Sequence, residues 1–426
     1  MQKRRFLIAL CILLVLSAAA FAEKITLWTW YDGSLGVIFR KLVQEEFVQK
    51  TGIEVEILTV PIADIVNKLL LAYIGGDAPD VVELYTNQVV DLGVRGALMD
   101  LTQFPDYQEV VSGLYPNYLK QLQYKSATFA LPCEIAWPWT YVRTDIFNDF
   151  GLEIPNTWDE FATSITKLKA RGLGTFYTHT GDAATITASR FLAFVYQRKT
   201  DIYTPDGTAS NLDAPEVIDA WMKFTSLYTD HGLLIEDPFI TTFADGNTPL
   251  GVLQAWYYYA LENAAPQIAG KWTVAEIPGT IDATGVIDRS SNSNGLSWSI
   301  VESSKKKDLA WEFMKFLSSP TFTENFARAL YESEGVRIYC ATLGFLDQAP
   351  FPEKHKDVAQ QALLNCRQPT AVVGGYMADR CIDFAFYKVY LEGVDPKEAI
   401  MQAAKESTDE IQRKLKEFAR FISKIE

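Results

Sequence analysis

The chain has 426 residues, 48% of them hydrophobic and 22% charged, with a formal net charge of −14 at neutral pH. That length exceeds what one core usually holds and fits two domains, and the mixture is ordinary for a soluble globular protein. The acidic balance argues against nucleic acid and anionic membrane surfaces as partners.

Lys3-Arg4-Arg5, the apolar run Phe6–Ala20 and the exit Ala20-Phe21-Ala22 read as an export signal cleaved after Ala22. The run is short for a membrane anchor, no later segment is long and apolar enough to span a bilayer, and Cys11 lacks a lipoprotein context. Cleavage removes three cations, taking the formal charge from −14 to −17, and leaves Cys133, Cys340, Cys366 and Cys381. In an oxidising compartment four cysteines can pair in three ways or stay as buried thiols, and proximity favours Cys366–Cys381.

A strand-like Ile25–Trp30, a helix ending at Thr51-Gly52, a strand Ile53–Val60, a helix Ile62–Ile74 and an apolar strand Val81–Leu84 follow in order. Strands alternating with helices predict a parallel sheet with covered faces. Ligands of such sheets sit outside the carboxyl ends of the strands, so function is expected in the loops Trp28–Asp32 and Tyr85–Gln88. In the first helix, Leu35, Ile38, Phe39, Leu42, Val43 and Phe47 share one face. Thr157-Trp158-Asp159-Glu160, Asp213-Ala214-Pro215-Glu216 and Asp395-Pro396-Lys397-Glu398 have capping-box form at helix starts. The polar run Ser290–Gly295 leads into a strand Leu296–Val301, and Ile411, Leu415, Phe418 and Ile422 form a last apolar stripe.

Leu27-Trp28-Thr29-Trp30, Glu46–Val55, Gly75–Val81, Leu131-Pro132, Tyr141–Asp145, Gly151–Glu160, Ala265–Trp272 and Lys306–Phe313 together resemble the family 1 extracellular solute-binding proteins of ABC sugar importers, a maltose-binding-protein-like group. The ordered set spans nearly the whole mature chain. The resemblance implies a two-lobed α/β periplasmic-binding fold of type II, each lobe a mainly parallel sheet flanked by helices, with a ligand cleft between. Lobe one would take 23–135 plus 285–335, and lobe two 136–284 plus 336–426. Crossings would fall near Glu134–Trp137, Val286–Arg289 and Gly335–Ile338. It also implies a periplasmic monomer that binds a carbohydrate and docks on membrane permease subunits.

Signatures of catalysis are absent: no G-x-S-x-G, no G-x-x-x-x-G-K-[ST] and no H-E-x-x-H occurs, and His179, His231 and His355 stand far apart. No cofactor or metal is therefore expected. Glu83, Glu134 and Asp182, near strand ends, could act as a hydrolytic carboxylate pair, or accept hydrogen bonds from sugar hydroxyls. The first reading makes an exported glycoside hydrolase; the second makes a binding protein that serves an importer or a chemoreceptor or sensor. Trp28 and Tyr31 close the first strand on opposite faces, Trp137 adjoins a proposed crossing, and Trp256 and Tyr257 open a run of four aromatics that one helix face cannot bury. With Asp32, Asn87, Glu134, Asp182, Asn294 and Arg337 as polar partners, these are the candidate ligand contacts. Tyr376, after Gly374-Gly375, joins them because it matches a tyrosine that the family often places at the cleft.

Overall fold

A computed structural model describes residues 23–177 and 186–425 of the chain. Its main strands are, in chain order, β1 (Lys24–Thr29), β2 (Glu54–Thr59), β3 (Val81–Tyr85), β4 (Leu131–Ala136), β5 (Pro138–Arg143), β6 (Thr175–Tyr177), β7 (Leu250–Gln254), β8 (Trp272–Ala275) and β9 (Asn294–Ile300). They form two sheets, β2-β1-β3-β9-β4 and β8-β5-β7-β6. Each has helices on its faces, so the chain builds two α/β lobes.

β1, β2 and β3 run parallel, as their alternation with helices predicts, with Leu27 beside Ile57 and Val81. The sheets as wholes are mixed rather than mainly parallel. β9 returns from the other lobe and enters antiparallel to both β3 and β4. In the second sheet β5 lies antiparallel to β7 and β8, and only β6 and β7 are parallel. A parallel neighbour needs a crossover connection, whereas a strand that arrives from the opposite lobe is free of that constraint. One residue, Trp137, separates β4 in the first sheet from β5 in the second.

The helices that frame the sheets are α1 (Gly33–Val43), α2 (Ile65–Gly75), α3 (Thr86–Val94), α4 (Trp158–Lys169), α5 (Pro215–Ser226), α6 (Pro320–Glu334), α7 (Gly375–Glu392) and α8 (Pro396–Glu417). α1 buries Phe39 and Val43, and its continuation buries Phe47 before ending at Gly52, whose φ of 76° suits the residue without a Cβ. Leu35, Ile38 and Leu42 pack part-buried on the same core. Thr157 and Glu160 form the expected capping box of α4, and Asp395 caps α8. Asp213 does not cap α5: Pro215 takes the first helical position, which makes Ala214 the cap and leaves it without a side-chain acceptor.

The four cysteines among the described residues are free thiols, so the expected Cys366–Cys381 bond is absent. Cys366 is buried with its sulfur 3.8 Å from the Ser291 hydroxyl, while Cys381 turns back toward the Met377 carbonyl within α7. Sequence proximity failed because one sits in a buried strand and the other on a half-exposed helix face.

α7 and α8 close the second lobe against α5, where the Trp221 indole donates to the Pro396 carbonyl at 2.9 Å. Beyond α8 the stripe changes lobes. Ile411 is in the second core, but Phe418 and Ile422 pack with Val90 and Val94 of α3. Arg95 lies over the Phe418 ring at 5.0 Å, and Lys125 donates to the Ile425 carbonyl. The chain end thus ties the two lobes together.

Candidate functional site

A cavity of about 360 Å³ opens where the carboxyl ends of β1 and β3 face the second lobe. Its first side carries Trp30, just past β1, and Tyr85, the last residue of β3; Glu134, Ile135 and Ala136 of β4 and Gly295 and Leu296 of β9 form the floor. Trp256, immediately after β7, and Val336–Tyr339 close the second side. This is the place where a sheet of this kind presents its loops to a ligand.

Glu134 is the carboxyl on the wall. The Tyr31 hydroxyl donates to its Oε1 at 2.5 Å, and no partner among the described residues meets Oε2. Burial pushes this carboxyl up to about 7, against the stabilising bond from Tyr31. Behind it Glu83 is wholly buried, with Oε2 accepting from the Thr29 hydroxyl and from the Trp30 amide at 3.3 Å. Burial and the neighbouring Glu134 hold Glu83 well above the ordinary carboxylate range.

Arg337 is the cation. It is only 2% exposed, pairs with Glu324 of α6 at 2.7 Å, and lays its guanidinium 4.9 Å above the Phe345 ring. Its Nε has no partner among the described residues, and neither has the buried indole nitrogen of Trp30. The wall therefore joins broad apolar surface to one acceptor and two unmet donors.

Of the expected contacts, Glu134, Trp256 and Arg337 meet at this cavity. Trp256 and Tyr257 are half-buried with their rings stacked at 3.8 Å and 27°, so Tyr257 backs Trp256, while Tyr258 and Tyr259 are core. Tyr31 is 2% exposed and reaches the site only through Glu134. Trp137 is a correction: it is fully buried between Trp139 and Tyr339, at 5.7 and 4.7 Å, and cannot touch a ligand. Trp28 packs part-buried on the core and is not among the residues that line this cavity. β1 ends at Thr29, so the strand alternation that pairs Trp28 with Trp30 stops before Trp30 turns into the wall.

Asp32 is exposed at the start of α1, and its side chain makes no capping bond there. Asn87 sits in the first turn of α3, half-buried and off the wall, with its Oδ1 unmet among the described residues. Asn294 begins β9 opposite Ala136, and Tyr376 lies half-buried at the start of α7, outside the wall. Asp182 lies outside the described residues. Sequence reasoning missed Tyr85 within a loop it had singled out, choosing Asn87 two positions on. It also missed the apolar floor, which reads locally as plain strand.

Among the described residues no group of three His, Cys, Asp or Glu could hold a metal, and no helix is long and apolar enough to cross a membrane.

Similarity to known proteins follows the same lines. A binding protein of Brucella abortus is 23% identical over 340 residues, covering 76% of this chain and 79% of that one. The lactose-binding protein of Rhizobium radiobacter is 23% identical over 315 residues, 71% of this chain and 72% of its own. The fold matches that of the sugar-binding protein MalE from Xanthomonas citri with a TM-score of 0.77 at 16% identity, over 95% of this chain and 100% of that one. Residues 43–332 match the model of the bacterial extracellular solute-binding proteins, and with the two-lobed fold and the cavity between its lobes this chain belongs to that family.

Proposed function

We propose that the chain is the substrate-binding component of an ABC importer and captures a carbohydrate, a small oligosaccharide, between lobes that close on it. The observation that carries this is the makeup of the cavity wall: the rings of Trp30, Tyr85 and Trp256 beside Glu134 and Arg337. Flat rings cover the C–H faces of a sugar, while a few fixed polar groups meet its hydroxyls. The lactose-binding and sugar-binding relatives support the same ligand class. In this reading the lobes comprise 23–135 plus 285–335 and 136–284 plus 336–426, Glu23 is the mature N-terminus, and the monomer delivers its cargo to permease subunits without performing chemistry.

The buried state of Glu83 weighs against a hydrolase. Glycosidases need two carboxyls flanking the scissile bond, and Glu83 is wholly enclosed behind Glu134. A thermal-shift screen of residues 23–426 against neutral mono- and oligosaccharides tests the reading. A sugar at about a hundred times its Kd should stabilise the chain by about 2.7 kcal/mol. Absence of any shift across the panel, or release of reducing sugar from glycans, would overturn it.

A further inference from the structure

A second groove lies between two chain segments that take no part in the first cavity. Residues 115–120 form one wall and residues 363–368 the other, and both walls change character in the same sense. Tyr115 and Pro116 on the first and Leu363 and Leu364 on the second enclose, with Leu343 and Leu346, an apolar hollow of about 540 Å³. Further along, Lys120 on the first and Arg367 on the second flank a polar hollow of about 290 Å³. Asn117 lines both hollows and ties the walls together, its Nδ2 donating to the Leu363 and Cys366 carbonyls at 3.3 Å. The helical turn Pro116–Leu119 and the helix Glu353–Asn365 carry the walls, and Cys366–Arg367 is fixed by parallel pairing with Ser291–Asn292.

The polar end is short of partners. Lys120 and Arg367 are exposed, and neither forms an ion pair or a side-chain hydrogen bond among the described residues. Two unpaired cations thus meet at one hollow on a chain whose formal charge is −14. Deeper in, Tyr196 is 2% exposed and its hydroxyl has no partner among the described residues. Gln368, 6% exposed, meets the Ser293 hydroxyl with Nε2 and leaves Oε1 unmet. Because a hydroxyl donates as well as accepts, half a turn of that amide presents an N–H instead. Buried polar groups without partners are costly, and a ligand that meets them removes the cost. The one carboxylate on this wall, Asp201, is committed to its own chain: Oδ2 accepts from the Thr370 amide and hydroxyl at 2.8 and 2.9 Å, and Oδ1 from the Ile202 amide at 2.7 Å.

The apolar end has the opposite character. Leu346 and Leu363 are buried, whereas Leu343 and Leu364 are 47% and 77% exposed around the same hollow. Clustered exposure of this kind marks a binding groove rather than ordinary surface, and the volumes are those of small-molecule sites. A simple anion would satisfy one end only, and an apolar molecule would leave the cations and Tyr196 unmet. We propose that the groove is a second binding site, for a medium-chain carboxylic acid. Its head lies among Lys120, Arg367 and Tyr196, and its tail lies against Leu343, Leu346, Leu363 and Leu364. The assignment is independent of what the first cavity binds. Its walls come from opposite lobes in the division proposed above, so a bound acid bridges them.

Calorimetry on residues 23–426 with hexanoate, octanoate and decanoate, each below its micellar concentration, tests the site. One acid should bind per chain, with affinity rising about fourfold for each methylene added, the gain expected from burying it. Decanol has the same tail without the charge and should bind roughly tenfold more weakly than decanoate. Lys120→Gln and Arg367→Gln should each weaken decanoate by roughly three- to tenfold and leave decanol unchanged. Leu364→Glu sets a carboxylate against the tail and should weaken decanoate by about tenfold or more. All three positions are exposed, so the urea midpoints should hold. Equal affinity for decanoate and decanol, a flat chain-length series, or several acids bound per chain overturns the proposal on the wild type alone, whether or not a variant folds. Decanoate binding that all three variants leave unchanged is contact elsewhere on the surface, and overturns it as well.

Discussion

Trp137 and Trp256 make a matched pair of perturbations, because one is core and the other is wall. Trp137 is wholly enclosed by Trp139 and Tyr339, so Trp137→Ala empties a ring-sized volume that its neighbours cannot collapse into. That class of change costs about 3–5 kcal/mol of folding stability. Trp256 is half-buried and covered on one face by Tyr257 at 3.8 Å. Trp256→Ala exposes only part of that surface on folding, and the loss should be about 1–2 kcal/mol. Binding reverses the order. Losing the ring that covers a sugar face removes about 1–3 kcal/mol of affinity, roughly 5- to 150-fold. Urea unfolding and calorimetry on each variant read both quantities. The expected pattern is a large fall in urea midpoint with affinity retained in the folded fraction for Trp137→Ala, and the opposite for Trp256→Ala. Should Trp256→Ala bind with undiminished affinity, or Trp137→Ala lose affinity at unchanged stability, the placement of the wall is wrong.

Other expectations follow from buried charges and from the chain end. His355 bridges the Tyr258 and Thr273 hydroxyls, and burial followed by Lys354 pushes it down to about 4. A depressed histidine contributes stability above its unfolded value near 6.5 that is lost as pH falls through 4; His355→Gln should therefore flatten a loss of about 1–3 kcal/mol in urea unfolding between those pH values. Arg337→Met strands Glu324 with its partner gone and should cost about 3 kcal/mol or more, while the double change Arg337→Met with Glu324→Leu should recover most of it in a double-mutant cycle. Deleting residues 418–426 removes the Phe418 contact with Val90 and Val94, which should raise the ligand-free radius of gyration in small-angle scattering while leaving helix content nearly intact; an unchanged radius would show that the chain end does not restrain the lobes.

What the sequence made legible follows how local each physical cause is. β1 to β3 and their helices show because apolar periodicity and glycine stops are written within a dozen residues, as in α1 and Gly52. The second sheet hid its directions: all six residues of β5 are buried, so no alternation marks its faces, and β6 is three residues long. Glu134 and Trp256, which line the cavity, were legible because one lies near the end of β4 and the other just beyond β7. Trp137 was misjudged because one of the rings that bury it, Tyr339, lies two hundred positions away, and no local pattern distinguishes it from Trp256. The same holds for Glu83 and Tyr31. Each reads alone as a polar strand end, but β1 and β4 lie on opposite sides of β3 and β9, and only that strand order brings the Tyr31 hydroxyl to Glu134 with Glu83 buried behind them. The side chains that line the cavity are thus legible from single loops and strand ends, whereas the burial that shifts its carboxyls belongs to the assembled sheet.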